Sequence, residues 1–483
     1  MATTLPTLEG EQTDVSDEAL SEFRTQLRGE ALTPGDAGYE QARVPFNAMH
    51  ADRPSLIVRC TGTADVVDAV KFARERGIEV AVRGGGHSIA GLSSSNGGMV
   101  IDLSLMRGVD VDPEARLARA QGGAVWGDVD RETQAFGLAT PGGVVSDTGV
   151  AGLTLGGGYG WIRRKYGLSC DNVVAAQVVG ADGEVRIASA DVNPDLFWAI
   201  RGGGGNFGIV SSLTFRLHPL GPIIAFAGVF YPVEDAAAVL RGYRDYFADA
   251  PDEVTSEADA ITMPADPSLP EAIHDQACLL VGAVYAGDPN EGMHVLRPLR
   301  ELGTPLADIS QPMPFTAVQS AFDPFFPRGQ LQSYWKSLYL AELSDEAADV
   351  IVKKAQERPS PLTLVNISVM GGAIGQVAPD DTAFSERSAP YLIAIMGNWN
   401  DPAGNGGNIA WVRNAWQEIE KFGTGSTYLN FGGRADEGMD AGVVDAFGRN
   451  LRRLAGVKAI YDPANFFRRN NNILPASEQA PAS

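Results

Sequence analysis

Cysteine is scarce in this chain: three in 483 residues, Cys60, Cys170 and Cys278, in unrelated contexts. They show no paired spacing, which argues against a disulfide framework and against a thiolate zinc site. The five histidines (His50, His87, His218, His274, His294) are equally scattered, with no HExxH or comparable ligand pattern, so no metal is expected. Basic runs are missing too. Lys+Arg 38 against Asp+Glu 60 leaves a formal net charge of −22, whereas a phosphate backbone or an anionic bilayer calls for the opposite sign. Neither nucleic acid nor membrane is expected as a partner. No run of about 18 apolar residues occurs, and the opening MATTLPTLEGEQTDVSDEALSEF is acidic where a secretory leader is basic and then apolar. The expectation is a soluble, cytoplasmic protein.

What is present is an ordinary globular inventory, 44% hydrophobic and 8% aromatic. At roughly 100 to 200 residues per domain the length predicts about two to four compact units, with room for a site at a junction. Glycine is the anomaly. There are 56, about 12% of the chain against an average near 7%, and sixteen of them fall into three clusters, at 84–86, 142–160 and 202–208.

Between these clusters, short Val/Ile-rich runs alternate with helical patterns. In DVVDAVKFARE (65–75) apolar residues recur at helical spacing, with Gly77 as the expected C-terminal cap. IEVAVR then alternates as a strand and runs straight into GGGHS. A glycine loop after a strand exposes consecutive main-chain N–H groups, which a diphosphate can approach because no Cβ intervenes. A lone triple glycine is more often a tight turn; three such loops in one domain favour anion binding.

Two nucleotide motifs fail their context tests. The segment 203–208 spells GxGxxG, but the helical PDLFWAIR precedes it and the β-patterned IVSSLTFRL follows, the reverse of a dinucleotide fingerprint. GxxxxGK[ST] is absent. From about 222 to 425, strand-like CLLVGAVYAG, SYWKSLYLAEL, LTLVNISVM and YLIAIMGNW alternate with helical EGMHVLRPLREL, EAADVIVKKAQER and IAWVRNAWQEIEKF. That pattern predicts an α+β domain, a sheet carrying helices on one face.

The succession RPSLIVRC, VRGGGHS, GVAGLTLGGGYGWIRRKYGLSCDN, DLFWAIRGGGGNFGIV and YDPANFFRRNNNI resembles the berberine-bridge-enzyme-like branch of the vanillyl-alcohol-oxidase flavoprotein superfamily, over about residues 43–475. The resemblance implies an α+β fold: a two-subdomain PCMH-type FAD-binding module and a substrate domain whose antiparallel sheet is flanked by helices. It divides the chain into an N-terminal extension (1–42), the FAD module (43–221), the substrate domain (222–425), a C-terminal segment returning to the FAD module (426–475) and a tail (476–483). It assigns the cofactor, FAD, to Arg83, Gly84, Gly85, Gly86, Ser88, Ser146, Thr148, Gly149, Gly152, Gly157 and Gly208. Ile209 and Val210 would line the adenine or ring region, and Asn465 would sit near the flavin with Tyr461 beside it.

In such proteins the histidine of the GGH loop bonds covalently to the 8α carbon of the flavin, which assigns His87; taken alone, His87 reads as a turn residue bonding its neighbours. A second tether would need a cysteine where this chain has Val145-Ser146-Asp147-Thr148-Gly149, so a single tether is implied. Cys170 lies beyond the glycine run and reads as a small buried residue.

The catalytic candidates are Tyr428, in the family's YxN segment, as base and Lys336 as a cation lowering its pKa, since a free phenol near pKa 10 is about 0.1% ionised at pH 7; the other role open to Tyr428 is to bind the substrate oxygen. Tyr428 as a half-buried strand tyrosine and Lys336 as a solvated lysine are the plainer alternatives, and Tyr334 and Tyr339 could also line the cleft. Where several relatives carry a tyrosine in the substrate-domain strand, this chain has Met370. The implied partners are a small-molecule substrate (an alcohol, sugar, hydroxy-ketide or cyclic amine) and dioxygen. A flavin dehydrogenase with another acceptor, or a flavin-binding protein without turnover, are the competing readings. Neither substrate identity nor oligomeric state is encoded in a motif.

Overall fold

The computed structural model describes residues 2–267, 269–432 and 439–476; most of the tail, 477–483, lies outside the described residues. The first module contains two sheets. In the smaller, Leu56–Arg59 and Val80–Arg83 both run parallel to Met99–Asp102. The helix Thr63–Glu75 buries Val66, Val70, Phe72 and Ala73 against this sheet. It stops where Gly77 takes a positive φ of 62°, the left-handed conformation that suits glycine after a helix. Residues from the N-terminal extension join this sheet and its core. Glu30–Leu32 pairs antiparallel with Leu56–Arg59, and Leu5, Val15, Leu20 and Phe23 enter the same core. The second sheet is antiparallel, in the order Val185–Ser189, Val173–Val179, Ile209–Arg216, Leu117–Gln121, Val109–Asp112.

The second module is built on a long antiparallel sheet, in the order Ala307–Asp308, Ile223–Pro232, Ala277–Tyr285, Val254–Thr262, Leu364–Val369, Tyr391–Trp399, Gln332–Leu340, with Gln311–Pro314 also paired to Ile223–Pro232. Successive side chains of a strand point to opposite faces. One set, including Ala258, Val281, Leu338 and Ile393, packs under the helices Ala236–Phe247, Asp345–Gln356 and Asn405–Glu420. The other, including Phe226, Leu280, Trp335 and Met396, packs against Val145, Trp161 and Ile162 of the first module. Ile223–Pro232, Ala277–Tyr285 and Tyr391–Trp399 read as nearly continuous apolar runs because both faces are covered.

The chain then returns to the first module. Leu454, Val457 and Ile473 join Trp198 and Phe207 in one core. Lys458 and Asp462 form an ion pair at 2.7 Å with both side chains fully buried. Lys458 also donates to Asn206 O (2.7 Å) and Phe467 O (3.0 Å), and Asp462 accepts from the N–H groups of Phe466 and Phe467. Those extra bonds satisfy charges that burial would otherwise leave strongly destabilising. Among the described residues no helix is long and apolar enough to cross a membrane, and all three cysteines are buried and unpaired.

Candidate active site

A cavity of about 320 Å³ runs from the glycine loops of the first module to the sheet of the second. Gly84, Gly85, Gly86, His87, Ser88, Thr148, Gly149, Gly152, Gly208, Ile209, Val210 and Tyr428 all line it. The loop after Val80–Arg83 reaches it because two glycine backbones cross: a Cβ on Gly85 would lie 2.4 Å from Gly149 Cα. Neither position has room for a side chain.

His87 sits at this crossing, stacked on Phe46 at 3.7 Å between ring centroids. Its Nε2 lies 3.0 Å from Asp147 Oδ1. Arg328, from the second module, bonds Asp147 Oδ2 (3.1 Å) and Gly85 O (2.6 Å). Burial alone would raise the Asp147 carboxyl, but His87 and Arg328 hold it below the usual range.

Tyr428 is fully buried. Its hydroxyl oxygen accepts the N–H of Gly158 at 3.2 Å and Asn430 Nδ2 at 2.8 Å. Burial pushes the phenol up; these two donors oppose the rise without overcoming it. Lys336 does not supply the expected cation. On Gln332–Leu340 it has the opposite parity to Trp335, which lines the cavity. Its ammonium lies 4.6 Å from the Trp416 ring on the helix side of the sheet. Tyr334 shares that helix-side core, whereas Tyr339 packs with Tyr159, Met370 and Tyr428.

Five of the expected cofactor residues lie outside the cavity lining. Arg83 turns away and donates to the carbonyls of Ala42, Arg43 and Ser93, tying backbone together. Ser146 is taken by Asp323, through both its N–H and its hydroxyl. Gly157, with φ of 109°, makes room for the Phe384 ring, which a Cβ would approach to 2.6 Å. Tyr461 reaches Asp195 at 2.8 Å. Asn465 forms a left-handed turn (φ 51°) that brings Phe466 and Phe467 N–H groups back to Asp462, a conformation asparagine tolerates.

Other lining residues were not singled out from the sequence: Tyr159, Phe326, Trp335, Phe384, Glu386, Met396, Asn430, Phe431, Arg469, Asn470 and Asn471. A signal existed for two groups. Tyr159 is the bulky residue inside GGGYG, and RRNNN is a polar run between FF and an apolar Ile473. Tyr159 is buried beside Glu257, and both effects push its phenol well up.

The walls fit a large polar ligand. Ser93 and Asn470 line the cavity, and each keeps a buried side-chain oxygen without a protein partner, a costly state. A Cβ on Gly152 or Gly205 would meet no atom within 4 Å, so these glycines leave room beside the cavity. FAD, with its diphosphate and ribityl chain, fits this donor set.

Comparison with known proteins agrees. Residues 54–189 match the FAD binding domain family, and residues 427–474 match the berberine and berberine-like family. An uncharacterised FAD-linked oxidoreductase of Bacillus subtilis is 32% identical over 460 residues, covering 94% of this chain and 98% of its own. The (R)-6-hydroxynicotine oxidase of Paenarthrobacter nicotinovorans is 31% identical over 456 residues, covering 93% and 97%. Among solved structures, 6-hydroxy-D-nicotine oxidase from Arthrobacter nicotinovorans superimposes with a TM-score of 0.82 at 28% identity, over 93% of this chain and 98% of that one. The chain belongs to the berberine-bridge-enzyme-like FAD-linked oxidoreductases of the vanillyl-alcohol-oxidase superfamily, and is an FAD-dependent oxidoreductase.

Proposed function

We propose that the protein is an oxidase whose FAD is attached once, through His87, and whose substrate is an alcohol or cyclic amine carried on an apolar ring. Sugar and hydroxy-ketide alcohols fall under the same chemistry. The carrying observation is the continuous cavity that joins the His87 loop at one end to Tyr428 and an aromatic wall at the other. When bound, FAD would supply the hydride acceptor for a substrate carbon and the route by which both electrons reach dioxygen to give hydrogen peroxide.

The chain's own residues bind, orient and exclude water. Gly84, Gly85, Gly86, Ser88, Thr148, Gly149, Gly152 and Gly208 would hold the cofactor through main-chain groups and hydroxyls, with Ile209 and Val210 beside them. Phe326, Trp335, Met396 and Phe431 dry the substrate end, and a dry site strengthens each polar contact made there. Tyr428 keeps its proton, because burial outweighs its two N–H donors. Its oxygen already accepts twice, so the O–H hydrogen is the group left to donate to the substrate heteroatom and fix the C–H to be oxidised.

Acid precipitation of the purified protein should leave yellow colour in the pellet, with the flavin on the peptide containing His87; in His87→Ala the flavin should be fully extractable. Oxygen uptake and peroxide release across a panel of ring alcohols, cyclic amines and sugars should rise together with substrate loss. Turnover with a dye acceptor but without peroxide would replace the oxidase by a dehydrogenase.

A further inference from the structure

His87 is held so that its two ring nitrogens are unequal. Nε2 faces Asp147 Oδ1 at 3.0 Å, while Phe46 stacks on the ring with an interplanar angle of 24° and fixes its plane. The second carboxylate oxygen is occupied from across the module boundary, by Arg328 Nε at 3.1 Å, and the same arginine holds Gly85 O. Asp147 is therefore clamped on one side and aimed at imidazole on the other. A carboxylate on one nitrogen of a neutral imidazole selects the tautomer with the proton there and leaves the lone pair on the other.

We propose that Asp147 directs tether formation: it accepts the Nε2–H hydrogen of His87, leaves the Nδ1 lone pair as nucleophile, and takes up the imidazole proton when the bond to the flavin forms. The proposal rests on the reading of His87 as attachment residue. Asp147 is a positioning residue, acting through His87. In the step, one C–H bond of the flavin 8α-methyl group breaks and one Nδ1–C bond forms. The methyl carbon and the imidazole each give up one proton, and the two electrons left on the flavin reduce dioxygen. Dioxygen takes both electrons, the methyl proton and the imidazole proton handed on by Asp147, and leaves as hydrogen peroxide, so atoms and charge balance and Asp147 ends ionised. Because Arg328 comes from the second module, the clamp forms only in the assembled protein.

The test uses full-length apoprotein made under riboflavin limitation and mixed with FAD in air. The readout is the fraction of flavin that stays with acid-precipitated protein over time, beside the total flavin bound before acid. Asp147→Ala should bind FAD yet form the tether roughly 10- to 100-fold more slowly, the usual scale for losing a carboxylate that orients histidine. Asp147 is 37% exposed, so formate can reach the vacated place and should restore the rate in proportion to its concentration. Asp147→Asn, nearly isosteric, should also be slow because an amide cannot take up the proton. Tethering at the wild-type rate in Asp147→Asn, or an Asp147→Ala rate that formate leaves unchanged, overturns the proposal while leaving the His87 reading intact. Wild-type flavin that is wholly acid-extractable overturns the His87 reading itself and the proposal with it.

Discussion

At the scale of single residues, Tyr428 and Lys336 show how far chemistry can be read from residue type. A phenol in an oxidase invites a cation beside it, and SYWKSLY offers one. The fold sends Lys336 over Trp416 instead and gives Tyr428 two N–H donors. Tyr428→Phe should therefore lower kcat/KM by about 100-fold, the scale of losing substrate orientation, while acid-stable flavin is retained. Lys336→Met should keep activity within about threefold, since the side chain lies on the far face of the sheet. Steady-state oxygen consumption by both variants decides the matter; equal losses would restore the lysine to the site. Tyr428 itself was legible, because it sits in a short family segment. Its partners were not: Asn430 was readable as a neighbour, but Gly158 N–H reaches it across 270 residues of chain.

At the scale of elements, periodicity was a good guide and contact was not. IEVAVR, PDLFWAIR, IVSSLTFRL and YLIAIMGNW fold as the strands Val80–Arg83, Ile209–Arg216 and Tyr391–Trp399 and the helix Pro194–Ile200. Alternation along Gln332–Leu340 separates Trp335 from Lys336 in the sequence too, but which face meets the cavity depends on what covers each. Ser146 shows the same limit, since a hydroxyl in a glycine loop suits a phosphate until Asp323 arrives from the other module. The crossing of Gly85 over Gly149 is a contact between two loops, and it yields a prediction. Gly85→Ala must push a Cβ into the Gly149 backbone, which no rotamer relieves. The variant should be purified with roughly tenfold less flavin, tethered or free, measured as the ratio of absorbance near 450 nm to protein absorbance, since such overpacking costs about 1–3 kcal/mol, and a wild-type ratio would refute the close crossing.

At the scale of the whole molecule, the two modules are joined by a buried acid. Asp130 on the helix Trp126–Gln134 accepts Gln319 Nε2 at 3.0 Å from the helix Phe315–Gln319, while Asp130 Oδ1 and Gln319 Oε1 have no partner. Burial pushes the carboxyl up to about 7. The folded state thus keeps a proton that the unfolded chain releases near pH 4, so this group's contribution is fully present below about pH 4 and lost as pH rises through 7. Asp130→Asn should raise stability at pH 8 by no more than about 4 kcal/mol, and by less at pH 5. Denaturant midpoints at the two pH values check this, and an equal gain at both would contradict it. The sequence by itself determined the class of cofactor, the order of the elements and the identity of His87 and Tyr428 as candidates, because glycine loops, periodicity and short motifs are local and each residue carries its own chemistry. Only the tertiary structure decided that Asp147 faces His87 and is held by Arg328, that Lys336 faces away, that Tyr461 bonds Asp195 and that Asn465 shapes a turn. Such relations join residues far apart in the chain, and burial and neighbouring charge exist only once the two modules have closed on each other.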